Sequence, residues 1–448
     1  MSFSFFPGLW RATWGYNSPA EMTPPRRTNS LKTLILGGGL LGVSTAYFLA
    51  RAGHDVTVVE RKAGAGLDTS FANGGQLSAG QSIPWANPHT PFLLGRWLGR
   101  SNAPLVFHPL KAEAALWRWG MSFLRNCLPG RTRANAEKIL RLALYSRDMM
   151  AEIVGETGIQ FDHNRGGILQ IFRDQKSLER AKRDGEWLSA LGCRLEPKTT
   201  DECIAIDDAL DGDQARITGG LYSPDDSCGD AHLYTARLAE VCARMGVRFL
   251  YDTEIIRLST MSDRITGVMT NRGMVTANAY VMALGSHSTK LLAPIGMKIP
   301  VYPAKGYSVT LPVGNEHRAP RISITDDAVK LVYSRLGQRL RIAGTAEFAG
   351  YNTALTPGRA EGIVATVREL FPNAGDFDRA EFWTGLRPLT PDGAPIIGKT
   401  PFRNLTLNTG HGTLGWTLAA ASGRVCADLV SGVAPAVEIG GLTAARFN

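Results

Sequence analysis

Hydrophobic and polar positions first settle into a period at Lys32. Lys32 to Leu36 (KTLIL) is an apolar run of strand length, and the helical pattern LLGVSTAYFLARAG follows it as far as the stop at Gly53. Asp55 to Glu60 (DVTVVE) reads as a second strand, so the three pieces predict a βαβ unit. Near the other end, NLTLN (Asn404 to Asn408) predicts a strand that leads into the helix TLAAASGRVCADLVSG. Between these ends, VRFLYDTEIIRL and ITGVMTNRGMVTANAYVMALGSHS predict further strands of the same sheet, with a hairpin around Asn271, Arg272 and Gly273. Residues 81–217 and 300–384 pattern differently. The first stretch is helical (LWRWGMSFLRN, AEKILRLALYSRDMMAEI) with a strand at GGILQIF, and the second alternates (YSVTLP, ISIT, KLVYSR, RLRIAGTAEF). Residues 1–30 are turn-rich and are expected to form an irregular extension.

Glycines punctuate both βα junctions. Gly37, Gly39 and Gly42 have the G-x-G-x-x-G spacing. The first permits a tight turn, the second lets a pyrophosphate approach the backbone, and the third brings helix close to strand. Glu60 ends the second strand 18 residues beyond Gly42, where a carboxylate can accept ribose hydroxyls. Leu40, Leu41 and Arg61 complete this expected nucleotide-binding set. Gly410, Gly412 and Gly415 repeat the spacing, but only 33 residues follow Gly415 and they hold no strand ending in an acid. One cofactor reached from both ends of the chain is the economical reading, against a glycine-rich turn of purely structural use. The last helix would offer free N–H donors and a partial positive charge to an electron-rich ring that becomes anionic on reduction, which favours FAD over NAD. The expected fold class is therefore α/β plus α+β. A Rossmann-type FAD-binding domain (31–80, 218–299 and 385–448) would carry an inserted substrate domain (81–217 and 300–384) built on an antiparallel sheet.

Composition narrows the partners. With 448 residues, 44% hydrophobic and 20% charged, the chain is globular and long enough for about three cores. Its six cysteines are too scattered for a zinc or iron–sulfur site, and they read as reduced, mostly buried thiols in a cytoplasmic protein. No metal site is expected. No run reaches the ~18 apolar residues of a membrane span. The net charge of +9 invites nucleic acid, an anionic membrane or an anionic ligand. It concentrates in residues 90–150, where ten basic residues face three acidic ones among Phe92, Trp97, Phe107, Trp117, Trp119 and Phe123. That mixture suits a lipid headgroup interface more than nucleic acid, and a helical pair with ordinary basic faces is the equal alternative. The acidic run from Asp201 to Asp230 places Asp207, Asp211 and Gly212 near calcium-loop spacing, but Ala209 and Thr218 stand where ligands are required. It reads as a solvated face.

The stretch EFWTGLRPLTPDGAPIIG places Arg387 between apolar neighbours at the passage between the two domains. A guanidinium there can hold a carboxylate bidentately or pair with a structural acid. Together with ILGGGLLGVSTAYFLARAGHDVTVVER, DTSFANGGQLSAG, YPAKGYSVTLP and NTGHGTLGWTLAAASG, it resembles the bacterial D-amino acid dehydrogenase family (small subunit), within the superfamily of D-amino acid, glycine and sarcosine oxidases. The resemblance runs from about Lys32 to the C-terminus. It implies FAD-dependent oxidative deamination of D-amino acids, with electrons passing to a respiratory-chain acceptor such as a quinone at the inner membrane. It also places Thr69, Ser70, Gly75 and Gln76 near the flavin ring, Gly410, Gly412, Thr413 and Leu414 at its pyrimidine edge, and Arg387 on the substrate carboxylate. Two features depart from the oxidases. Thr413 stands where glycine oxidases have a second arginine, and the substrate tyrosine has only Tyr307 and Tyr333 as weak counterparts. Gly385 stands where sarcosine oxidases attach FAD through cysteine, so FAD is expected to be non-covalent. His411 is a candidate tuner of flavin reduction or a structural histidine. An oxygen-using oxidase of similar fold and a flavin-bearing scaffold protein remain the alternatives.

Overall fold

In the computed structural model, which describes residues 30–97, 103–107, 113–212 and 216–447, β1 (Lys32–Leu36), α1 (Leu40–Arg51) and β2 (Asp55–Val59) follow one another as the periodicity predicts. The expected extension, apart from Ser30, lies outside the described residues. Every residue of β1 after Lys32 and of β2 after Asp55 is buried, because the strands pair in parallel and are covered on both faces. Among the described residues they belong to a six-stranded sheet ordered Ile396–Lys399, Leu405–Thr409, Ala279–Met282, β1, β2 and Arg248–Leu250. Only its Ile396–Lys399 edge is antiparallel. α1 packs on the last helix, Gly415–Val430, at a distance that excludes any side chain at Gly423, whose added Cβ would strike the Ser44 backbone.

Two expectations about this sheet change. Ile255–Met261, Arg264–Thr270 and Gly273–Val275 do not extend it but form a separate three-stranded antiparallel sheet. Ile255–Met261 is mostly exposed, with Leu258 buried, while Arg264–Thr270 buries Ile265, Gly267, Val268 and Thr270, and the interior of a parallel sheet has no place for strands with so wet a face. Gly219–Ser223, expected within the nucleotide domain, pairs instead with Ile168–Phe172 in the other large sheet.

That second sheet, nine-stranded among the described residues, is mixed where an antiparallel one was expected. Ile168–Phe172 runs parallel to Ser323–Asp326, and Leu105–Phe107 runs parallel to Arg339–Phe348. Its central ribbon joins Tyr302–Pro312 to Arg339–Phe348 on one side and to Glu381–Leu389 on the other. Glu381–Leu389 thus spans the expected division at 385, since it stays paired along the whole length of its partner.

Of the helices in the first inserted segment, three precede the strand Ile168–Phe172: α2 (Thr90–Trp97), α3 (Ala114–Asn126) and α4 (Pro129–Thr157). α4 begins with proline at its first turn and stops at left-handed Gly158. Its Ile139, Leu140 and Ala143 pack against Leu418, Ala421 and Val425, so this helix of the insert braces the nucleotide unit. The acidic run is a solvated face only in part: Asp201, Glu202, Asp208, Asp211 and Asp225 are exposed, whereas Asp207, Asp226 and Asp230 are buried and accept backbone amides, Asp207 from Ala209, Arg321 and Ile322, and Asp226 from Ala79 and Gly80. All six cysteines are buried and free. No described helix is long and apolar enough to cross a membrane.

Candidate active site

The β1–α1 turn is built for a close approach. Gly37 has φ +109°, and a Cβ at Gly42 would collide with the Gly37 carbonyl, so helix and turn touch directly. Gly39 caps α1 without a side-chain hydrogen bond, and the first turn carries no acid, which leaves the dipole end free for an anion. Glu60 Oε2 accepts from the Gly38 amide at 2.8 Å and Oε1 from Lys62 at 2.9 Å. Burial nevertheless raises its pKa, with those two amides opposing the shift. Arg61 pairs with Asp68.

The loop Thr69–Gln76 spans the two large sheets. Ser70 Oγ accepts from Leu40 at the helix end, and Thr69 donates to the Leu386 carbonyl. The Gln76 amide reaches Ser323 and Thr325, while Ser334 donates to the Gly74 carbonyl. From the C-terminal side, Gly412 donates to the Pro388 carbonyl, and His411 bridges to Leu389, so the glycine turn before the last helix is tied to the Arg387 strand. His411 is buried, with Nε2 on Ser422 at 2.9 Å and Nδ1 without a partner. Burial pushes its pKa down to about 3, which keeps the imidazole neutral.

These parts converge on one cavity of about 1120 Å³. Every expected site residue lines it except Gly42, whose role is the helix–turn contact. The volume exceeds the ~300–1,000 Å³ of an ordinary small-ligand site, which suits a dinucleotide and a substrate together. Three partnerless buried atoms on lining residues, Thr345 Oγ1, Asn408 Oδ1 and His411 Nδ1, add polar groups for a ligand to satisfy. The uncapped α1 end, the open space at Gly39 and Glu60 therefore fit FAD from its pyrophosphate to its ribose.

Arg387 lies deep, and its remaining accessible surface faces the cavity. Burial lowers its pKa to about 10, so it stays cationic near neutrality. Nη1 donates to the Thr345 carbonyl at 2.8 Å, and no described carboxylate pairs with it. Its guanidinium rests on Gly306, where an added Cβ would collide with it. Trp119 steadies the same strand by donating to the Leu389 carbonyl at 3.0 Å. Tyr307 lines the cavity, but its hydroxyl is held by Glu347 and Thr356 beside the buried Lys305–Glu347 pair. Tyr333 lies in the core of the second sheet, away from the cavity lining.

The pattern of the FAD dependent oxidoreductase family matches residues 32–429. The chain belongs to this family. Its cofactor is accordingly FAD, and it is an oxidoreductase. A protein of Paramagnetospirillum magneticum named D-amino acid dehydrogenase is 50% identical over 418 residues, covering 93% of this chain and 99% of that relative. One of the same name from Granulibacter bethesdensis is 46% identical, covering 93% and 100%. Among solved structures, glycine oxidase from Bacillus cereus superposes with a TM-score of 0.69 at 25% identity, covering 90% of this chain and 95% of that one. L-proline dehydrogenase from P. horikoshii shares the fold at a TM-score of 0.72 and 19% identity, covering 93% and 98%.

Residues that sequence patterning missed are Gly306 and Thr345, the neighbours that orient Arg387. Nothing in the local sequence marks them, because their meeting depends on strand register.

Proposed function

We propose that this chain oxidises D-amino acids to 2-oxo acids and ammonia, and hands the electrons to a quinone of the respiratory chain at the inner membrane. One observation carries the substrate class: a deep arginine without an acidic partner, beside the flavin turn, in a cavity open to small molecules. A substrate carboxylate supplies the missing countercharge. The D configuration rests on the relatives' names.

FAD, when bound, supplies the acceptor for the two electrons and the hydrogen that leave Cα. Arg387 anchors the carboxylate and so fixes where Cα can lie. Ile83, Trp85, Leu116 and Phe348 give the cavity apolar lining. The amine must be neutral when Cα is oxidised, and the neutral His411 adds no positive charge against the departing electrons. The imine then adds water to give the 2-oxo acid and ammonia. No cysteine lines the cavity among the described residues, which supports non-covalent FAD.

Support for the acceptor comes from α3. Its inner face buries Leu116, Trp119 and Phe123, while Trp117, Met121 and Leu124 both line the cavity and stand exposed on the outer face. Phe92 in α2 and Leu128 just after α3 are also exposed, as are Arg96, Arg118, Arg125 and Arg131 in the same run of helices. Exposed apolar side chains among arginines suit an anionic bilayer and a lipophilic acceptor. Phe107's side chain, part of the expected aromatic set, lies outside the described residues.

Anaerobic mixing of the holoenzyme with paired D- and L-amino acids tests the substrate. D-amino acids should bleach the flavin, and a panel without any bleaching sinks the reading. Rapid peroxide formation without added acceptor would assign an oxidase instead. Binding to anionic vesicles should be lost in Phe92→Glu/Leu128→Glu, two exposed residues outside the cavity lining, with flavin reduction intact. Binding indifferent to both charge and this double change removes the membrane reading.

A further inference from the structure

We propose that Thr345 contacts the substrate as well as aiming its arginine, the hydroxyl donating a second hydrogen bond to the carboxylate held by Arg387. The inference rests on the reading of Arg387 as the carboxylate site.

It starts from the backbone. The register between Tyr302–Pro312 and Arg339–Phe348 shifts between Lys305 and Tyr307, and Thr345 sits in the resulting bulge. Its φ is +51°, and it is the one β-branched residue among the described non-glycine residues with positive φ. Cβ branching makes that region unfavourable, so the residue holds backbone strain there. A second cost sits on the same side chain: Oγ1 is buried without a partner.

Neither cost is needed to position the arginine. The bond to Arg387 Nη1 comes from the Thr345 carbonyl, and a glycine in the bulge would present that carbonyl without strain and without an orphan hydroxyl. What the threonine side chain adds is a buried, unpartnered hydroxyl on a residue that lines the same cavity as Arg387. With Nη1 engaged by the carbonyl and the guanidinium resting on Gly306, Arg387 has donors left for the cavity that Thr345 also lines. A carboxylate there has two oxygens to satisfy, and Thr345 Oγ1 is a free donor for one of them. Thr345 would thus take the place of a second cationic clamp, which the last turn, with Thr413 in it, does not supply.

Three variants of the holoenzyme separate contact from scaffold: Thr345→Val, Thr345→Ser and Thr345→Gly. Titration with a non-oxidisable carboxylate such as benzoate, read by the flavin absorbance, gives affinity, and thermal melting gives stability. Thr345→Val and Thr345→Gly should bind roughly tenfold more weakly, as expected for losing a hydrogen bond to a charged group. Thr345→Ser should bind like the parent protein, and the rate of flavin reduction at saturating amino acid should barely move. Thr345→Gly should melt no lower than the parent while binding worse, a split that a purely structural residue cannot produce. Parent-like affinity in both Thr345→Val and Thr345→Gly overturns the proposal, and so does weak binding in Thr345→Ser. Arg387→Ala keeps the two readings apart. If it weakens binding while the Thr345 variants do not, only this inference falls, and if its affinity is unchanged, the carboxylate site itself falls.

Discussion

At the nucleotide end of the cavity, two continuous stretches of chain supply the binding surface, β1–α1 with its glycines and the turn before the last helix. At the substrate end, Gly306, Thr345 and Arg387 arrive from three separate strands of the second sheet and meet through register and one bulge. The first end is held by steric necessity: Gly42 touches the Gly37 carbonyl, and no other residue fits. The second end is held by a balance, with a cation resting on a glycine, a strained threonine and polar atoms awaiting a ligand. Both ends keep polar groups for a ligand to complete, the uncapped α1 end, Asn408 Oδ1 and His411 Nδ1 at the first and Thr345 Oγ1 at the second, so what separates them is how the scaffold is fixed: by local steric contact at one end and by strand register at the other.

Breaking the nucleotide end should have the largest effect. Gly42→Ala forces α1 off the turn, and the variant is expected to purify with little or no flavin, read from the absorbance ratio of flavin to protein. Retention of full flavin content would show that the turn tolerates what the contact forbids. Arg387→Ala should leave flavin content unchanged and weaken carboxylate binding by roughly 1.5–3 kcal/mol, the range for a hydrogen bond to a charged group. An unchanged Kd in the same titration would detach Arg387 from the site.

A subtler blow to the substrate end is Gly306→Ala, which keeps the arginine but pushes its guanidinium off the strand. Roughly a tenfold rise in KM with kcat nearly preserved is expected from displacing one charged contact, and steady-state kinetics decide it. The smallest effect concerns pH. His411 has its pKa depressed from 6.5 to about 3 by burial, so between those values the unfolded chain takes up a proton that the folded one refuses. This contribution to stability is complete above about pH 6.5 and declines as pH falls towards 3. His411→Asn should give a shallower acid limb in a plot of Tm against pH. A limb identical to that of the parent would mean that other groups, such as His163, depressed to about 4, carry the effect.

Much of the nucleotide unit was legible in the chain, since strand, helix, strand and glycine spacing are local and each constrains its immediate neighbours. Glu60 could be named because its place at a strand end follows from counting. Arg387 was legible as an unusual arginine in an apolar stretch. The acidic run misled because acidity alone does not reveal that Asp207, Asp226 and Asp230 serve backbone amides. The strands 255–275 misled for a related reason: their polar positions mark a wet face but do not say which sheet they join. Tyr307 was found at the cavity, yet Glu347, forty residues on, takes its hydroxyl.

The amino-acid sequence by itself determined the βαβ unit, the cofactor class and Arg387 as an arginine set in an apolar stretch, because these depend on residue type and short spacing. Only the tertiary structure decided which sheet each strand joined and which face of α3 stayed exposed. It alone set Thr345 and Gly306 against Arg387. Register across strands distant in sequence is set by packing of the whole sheet, and a shift of one residue between Lys305 and Tyr307 turns the Thr345 backbone toward the arginine.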